Sequence, residues 1–201
     1  MSDLERWESR FSQEGYLFGT EPNAFLKAQA HRLRPGQDVL SVADGDGRNG
    51  VWLAEQGLNV HTVEFSPTAM KKAQALATAR GVAIRAERAD LFTWTWPAEA
   101  YDVVVVIFIQ FAPPAERQRM FEGMKRALKP GGLLLMEGYG PKQLGYGTGG
   151  PKRLDWLYTR ALLENAFSDF ASIEIDEYEA ELDEGARHKG MSALIDFIGR
   201  K

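Results

Sequence analysis

Gly45, Gly47 and Gly50 form a G-x-G-x-x-G pattern directly after the apolar run Val39–Val42, where a helix-like segment begins. Glycine permits a tight turn and lets a ligand approach the backbone. The helix N-terminus that follows favours anions, and diphosphate is its usual guest. This turn, however, carries Asp44 and Asp46. Unit charges about 4 Å apart interact by around 4 kcal/mol at an effective dielectric near 20, so the two aspartates oppose a diphosphate. A ligand with a sulfonium and an ammonium suits them. Its one carboxylate could go to Arg48 or to helix N–H groups.

Two further acids stand at related places. Glu64 ends the second strand candidate, close to the roughly 20-residue offset at which a dinucleotide fold places its ribose-binding acid. Phe65 follows it and could lie against an adenine face. Asp90, in "AERADLF", closes the third strand candidate, where it could accept from an adenine amino group while Leu91 offers a backbone N–H. The plain alternative for Asp90 is a cap on the next turn. Ile107, late in the fourth strand candidate, and the Tyr16 hydroxyl complete the candidate cofactor contacts. The glycines, Glu64 and Asp90 suit NAD and S-adenosylmethionine almost equally. Asp44 and Asp46 decide for S-adenosylmethionine, which has no phosphate.

The elements that must hold these residues alternate. Strand candidates are 38–42, 60–64, 84–88, 101–109 and 133–137, and helix candidates between them are 48–56, 68–80 and 114–128. Such alternation implies βαβ units and a parallel sheet with helices on both faces. "VVVVIFI" lacks period-two alternation, as a central strand covered on both faces should. A helix over 153–167 precedes two strand-like segments, "ASIEIDEYEAEL" and "MSALIDFIG", joined by "DEGARHKG". A short connection of this kind makes an antiparallel hairpin. The expected fold is α/β, a Rossmann-like doubly wound sheet of seven strands, mostly parallel, ending in that hairpin. One domain spans 1–201, with residues 1–35 a helical cap and 36–201 the core.

Composition narrows the chemistry. The 201 residues carry a formal net charge of −4, which gives no broad reason to bind nucleic acid or an anionic membrane. No cysteine is present, so disulfides, thiolate metal sites and a cysteine nucleophile are excluded together. His31, His61 and His188 are dispersed, with no metal-ligand spacing. His31 reads as a cap-region residue, His61 as structural, and His188 as exposed in the hairpin turn. The basic residues of "ERQRMFEGMKRALK" read as a solvated helix face. The N-terminus lacks a secretory pattern and no apolar run is long enough for a bilayer, so a cytoplasmic location is expected. The sequence specifies no oligomeric state.

With these residues in view, the chain resembles the class I S-adenosylmethionine-dependent methyltransferases over nearly all its length. It looks closest to small bacterial members related to the tellurite-resistance and thiopurine methyltransferase groups. "ADGDGRN" matches the family's acid-plus-glycine turn, Glu64 its ribose acid, Asp90 its adenine acid, and Pro130-Gly131-Gly132 the turn before its fifth strand. "YLFGTEPNAFL", "GRN" (Gly47, Arg48, Asn49) and "YGPKQLGYGTGGPK" are similar to segments of the small-methyltransferase subgroup. The resemblance implies that the N-terminal piece folds over the cofactor and that the loop 139–152 borders the acceptor pocket. Two departures stand out. Gln110-Phe111 replaces the small residue and histidine that relatives show after the fourth strand, and Ala43 replaces the first glycine of the commoner turn.

Methyl transfer is an in-line displacement in which the leaving group departs as a neutral thioether. The protein then contributes alignment and water exclusion, an effect worth about 7–11 kcal/mol when geometry is ideal. Thiolate or metalloid acceptors need no base, whereas hydroxyl or amine acceptors do. No side chain is therefore singled out as catalytic. Tyr16, Tyr139 and Tyr146 are candidate pocket hydroxyls, Trp7 and Phe11 candidate covers, and the glycine-rich loop a candidate lid. The partner expected is a small-molecule methyl acceptor. The rival readings are a noncatalytic cofactor-binding module and an NAD-dependent oxidoreductase.

Overall fold

The computed structural model describes residues 2–185 and 188–201. Ala186 and Arg187, in the connection expected between the last two strands, lie outside the described residues. Seven strands form one sheet in the order β3-β2-β1-β4-β5-β7-β6, with helices around it. This is the expected mostly parallel Rossmann-like arrangement with an antiparallel end. Among the described residues no helix is long and apolar enough to cross a membrane.

The described residues gather into two compact units. The first runs through Trp94 and includes Glu184 and Gly185. Its strands β1 (Asp38–Val42), β2 (Asn59–Glu64) and β3 (Arg85–Arg88) pair in parallel. Parallel pairing needs crossovers, which α3 (Arg48–Glu55) and α4 (Pro67–Ala79) provide. Ser66 caps α4 by accepting from the Ala69 N–H at 3.0 Å, and Pro67 sits at the first helical position, where its missing N–H costs nothing. The N-terminal helix α1 (Asp3–Phe11) begins with a capping box between Ser2 and Glu5. The next helical segment is shorter than its spacing suggests: α2 covers Ala24–Ala28 and a 3₁₀ turn follows at Ala30–Arg32.

The second unit comprises Thr95–Asp183 and His188–Lys201. In it β4 (Tyr101–Ile107) lies parallel to β5 (Leu128–Tyr139), with α5 (Pro114–Ala127) between them in sequence. Val103 to Val106 are at most 1% exposed, which explains the unbroken apolar run: both faces of β4 are covered. The strand β5 begins earlier than the run 133–137 suggested, and an irregularity in the β4–β5 register absorbs Pro130-Gly131-Gly132. The twelve-residue strands β6 (Ser172–Asp183) and β7 (Lys189–Arg200) pair antiparallel, and β7 adds to β5 antiparallel.

The single helix expected over 153–167 is not formed. A 3₁₀ turn at Leu154–Trp156 is followed by a separate helix over Arg160–Ala166, capped by Thr159, whose hydroxyl accepts from the Leu162 N–H at 3.1 Å. The Tyr158 N–H donates to the Tyr139 carbonyl at the end of β5, 3.0 Å away, and that tie pulls the backbone out of helical geometry.

Candidate functional site

The glycine turn alternates left-handed residues: Ala43 at φ +48°, Gly45 at +63° and Gly47 at +94°. A non-glycine residue there costs roughly 1–2 kcal/mol, so Ala43 is held in place by its surroundings. Gly47 has a second constraint. A Cβ on it would lie 2.5 Å from the Ala73 Cβ and 2.7 Å from the Ala73 Cα of α4. Helix α4 thus fixes the distance at which the turn opens into α3. Gly47→Ala combines left-handed strain with overpacking, each about 1–3 kcal/mol. It should lower the urea midpoint by the equivalent of about 2 kcal/mol or more and weaken ligand binding with it.

The two aspartates face different partners. The Asp44 carboxylate turns inward, accepting from the Ser41 hydroxyl at 2.7 Å and from the Gly50 N–H at 3.1 and 3.2 Å. It therefore ties β1 to α3. Burial pushes its pKa up to about 7, and the fields of Glu64 and Asp46 add to that against the hydrogen bonds from Ser41 and Gly50. The Asp46 Oδ2 accepts from the Leu17 N–H at 2.5 Å, while its Oδ1 has no hydrogen-bond partner among the described residues. Burial raises the Asp46 pKa too, against the Leu17 bond and the charges of Arg48 and Lys72.

Glu64, at the carboxyl end of β2, is gripped by backbone. Its Oε2 accepts from the Gly45 N–H at 2.9 Å, and its Oε1 from the Phe65 N–H at 2.7 Å and the Ser66 N–H at 2.9 Å. A carboxylate has about four acceptor positions, so one remains on Oε2. Burial raises its pKa despite these donors, and the Asp46 charge contributes. Three carboxylates thus lie close enough to perturb one another around one turn. Asp90 follows β3. Its Oδ1 accepts from the Phe92 N–H at 3.0 Å and its carbonyl from the Thr93 and Trp94 N–H groups, so it does cap the turn that contains the buried Leu91.

Arg48, Asn49 and Tyr16 each have a polar partner within the protein. Arg48 is paired with Glu184 at 2.8 Å, both nearly buried, and its guanidinium lies 6.0 Å from the Phe18 ring centroid. Asn49 accepts from the Asn23 N–H at 2.9 Å. The Tyr16 hydroxyl donates to the Lys72 carbonyl at 3.3 Å and its ring packs by Val51 and Leu76, so Tyr16 is a packing residue of α3 and α4. Ile107 ends β4 in the second unit. Phe11 lies against the turn, where a Cβ on Gly45 would be 3.3 Å from its ring, and Trp7 stacks on it at 5.8 Å.

Glu8 and Glu184 escaped the sequence reading. Glu8 reaches from α1 to the start of α4, accepting from the Ser66 hydroxyl, from the Thr68 N–H at 3.2 Å and from the Thr68 hydroxyl at 2.7 Å. Burial acts to raise its pKa, but these donors outweigh it and hold the carboxyl below its ordinary value. Glu184 accepts from the Asn23 side chain at 3.1 and 3.2 Å and from the Ala24 N–H at 2.9 Å. Together they fasten the N-terminal segment beside the turn.

In the second unit Gln110 is a clasp. It accepts from the Tyr139 N–H at 2.6 Å and donates to the Tyr139 carbonyl at 2.8 Å. The departure at Gln110 therefore serves backbone positioning. His188, expected exposed, is buried: its ring meets Phe108 edge-on at 4.3 Å and lies 5.9 Å from Tyr139. Phe108, strained at φ +55°, stacks on Tyr139 at 4.7 Å. The glycine-rich loop is tied down. Gln143, 1% exposed, accepts from the Ala193 N–H at 2.9 Å and donates to the Thr148 hydroxyl at 3.0 Å. Tyr146 and Lys142 both bond Glu179. His31 sits exposed by the Ala28 carbonyl, and His61 is buried beside Glu87. Among the described residues no group of acids and histidines could hold a metal ion.

The sheet order and the acid-bearing turn after β1 define a Rossmann-like domain. Residues 39–132 match the family model of a methyltransferase domain. Over 113 residues the chain is 34% identical to a phosphoethanolamine N-methyltransferase of Triticum aestivum, a match covering 53% of this chain and 21% of that protein's length. In fold it is similar to the structure described with conversion of a disulfide bond into a thioacetal group during echinomycin biosynthesis, with TM-score 0.77, 19% identity, and 98% and 88% of the two chains covered. It is also similar to phosphoethanolamine N-methyltransferase 2 of Haemonchus contortus, solved with S-adenosyl-L-methionine, with TM-score 0.71, 19% identity, and 92% and 55% covered.

Proposed function

We propose that the chain transfers a methyl group from S-adenosylmethionine to a small-molecule acceptor. The observation that carries this reading is the cluster of buried carboxylates Asp44, Asp46 and Glu64 around a G-x-G-x-x-G turn. A diphosphate there would meet three acids, whereas a cation is stabilised by them. The free oxygen of Asp46 and the open acceptor position of Glu64 fit a ligand with an ammonium and a ribose. The bound cofactor would supply an electrophilic methyl on a positively charged sulfur. Glu64 would orient the ribose, Asp90 and Leu91 the adenine edge. Phe11 and Trp7, fixed through Glu8, would keep water from the turn. The relatives' small-molecule chemistry supports a small acceptor, and thiol, metalloid oxyanion, phenol and phosphoethanolamine are the classes to try. The relation to the tellurite-resistance and thiopurine groups, the single-domain organisation and the cytoplasmic location belong to the same proposal.

Calorimetric titration of the whole chain tests it. S-adenosylmethionine should bind and NAD should not. Formation of S-adenosylhomocysteine with one of the four acceptor classes should follow. Heat from NAD alone would overturn the cofactor, and binding without turnover across a broad acceptor panel would favour the noncatalytic module.

A further inference from the structure

Arg48 is the first residue of α3, directly after the acid-bearing turn, and its charge is felt at Asp46. Left alone, a buried guanidinium there would cancel much of the acids' attraction for a cation. It is not left alone. Glu184, the residue directly after β6, pairs with it at 2.8 Å, with side-chain exposures of 5% for Arg48 and 11% for Glu184. The carboxylate is held in place by Asn23 and by the Ala24 N–H. Lys72, the other cation felt at Asp46, is turned toward the Gln13 and Gly15 carbonyls, 2.6 Å from each. With Arg48 neutralised, it no longer opposes the ionised carboxylates of Asp44, Asp46 and Glu64 around the turn.

We infer that Glu184 is a specificity-determining residue: by neutralising Arg48 it lets the acidic turn hold the cationic methyl donor in preference to the neutral thioether that remains after transfer. The inference rests on the proposed function and extends it to product discrimination. The donor and the thioether share adenine, ribose, ammonium and carboxylate, so contacts to those groups cancel in a ratio of affinities. They differ by the transferable methyl and by the sulfur's charge, and only the charge answers to the net charge of the turn. Glu184 acts through Arg48 and needs no contact with either ligand.

The test is the ratio of the thioether's Kd to the donor's Kd, measured by calorimetry for S-adenosylhomocysteine and S-adenosylmethionine on the full chain. Glu184→Gln keeps the side-chain size and loses the charge, and it should lower the ratio about 5- to 20-fold, as expected for one partly screened charge. Glu184→Asp should keep the ratio near the wild-type value, even if both affinities fall because the Asn23 contacts loosen. Arg48→Met should raise the ratio, and Arg48→Met with Glu184→Gln should return it toward the wild type. A loss of packing alone would weaken both ligands equally and leave the ratio unmoved. Should Glu184→Gln fail to fold, the Arg48→Met ratio decides. A ratio unchanged in Glu184→Gln, or in Arg48→Met, overturns the inference while the function stands. A wild-type chain that binds neither compound overturns both.

Discussion

Glu64→Ala should weaken S-adenosylmethionine binding by about 1.5–3 kcal/mol, the range for hydrogen bonds to a charged group, which is a loss of about 10- to 150-fold. The structure adds a second consequence. The carboxylate also receives the Gly45, Phe65 and Ser66 N–H groups, so its removal strips three backbone donors of their acceptor. Buried donors left without partners cost about 1–3 kcal/mol each when water does not reach them. The variant should therefore lose thermal stability as well as affinity. Glu64→Gln separates the two effects. Its Oε1 can still accept from Phe65 and Ser66, but its Nε2 would meet the Gly45 N–H donor to donor. Stability should fall less than in the alanine variant, while binding still drops because the turn's backbone is displaced where the ligand approaches. Calorimetry and thermal melts on both variants check this. Undiminished affinity in a folded Glu64→Ala protein would remove Glu64 from the site.

The elements that carry these residues were legible where local pattern and burial agree. The run Val103–Val106 reads as a covered strand because it is one, with both faces packed. Glycines after an apolar run, and Glu64 at the next strand end, placed the turn and its acids within one residue of their observed positions. What was not legible depends on partners distant in sequence. Asn23 and Glu184 are 161 residues apart, and nothing near Glu184 distinguishes it from a solvated turn acid. Glu8 looks like one more charge on an amphipathic helix until Ser66 and Thr68 are brought to it. His188 sits in a polar stretch, and its burial comes from Phe108 and Tyr139, supplied by other strands. The direction of a side chain is likewise invisible in a motif. Asp44 and Asp46 are two positions apart, yet one faces Gly50 and the other Leu17.

That difference in direction leads to the second large effect. Asp44 is buried with its pKa pushed up to about 7 by desolvation first and by neighbouring acids after it. In the unfolded chain it titrates near 3.9. The native state therefore binds this proton more tightly. Its contribution to stability is complete below about pH 4 and is lost as pH rises through 7, at most about 4 kcal/mol in all. Glu8, held low by Ser66 and Thr68, works the other way: its contribution is present above the ordinary glutamate range and is lost on acidification. Asp44→Asn isolates the first contribution. The asparagine oxygen can accept from the Gly50 N–H and its amide can donate to the Ser41 hydroxyl, so both ties survive without the charge. The variant should melt at nearly the wild-type temperature below about pH 4 and progressively higher than wild type from pH 4 to pH 7, with the difference level above that. Wild type and variant moving in parallel across that range would show that the native state does not hold the Asp44 proton more tightly than the unfolded chain. The same substitution should weaken S-adenosylmethionine binding at pH 8 several-fold and leave it nearly unchanged at pH 5, where wild-type Asp44 is already neutral. The charge that costs the fold stability is the one that attracts the donor, so at pH 8 the variant should combine a higher melting temperature with a lower affinity.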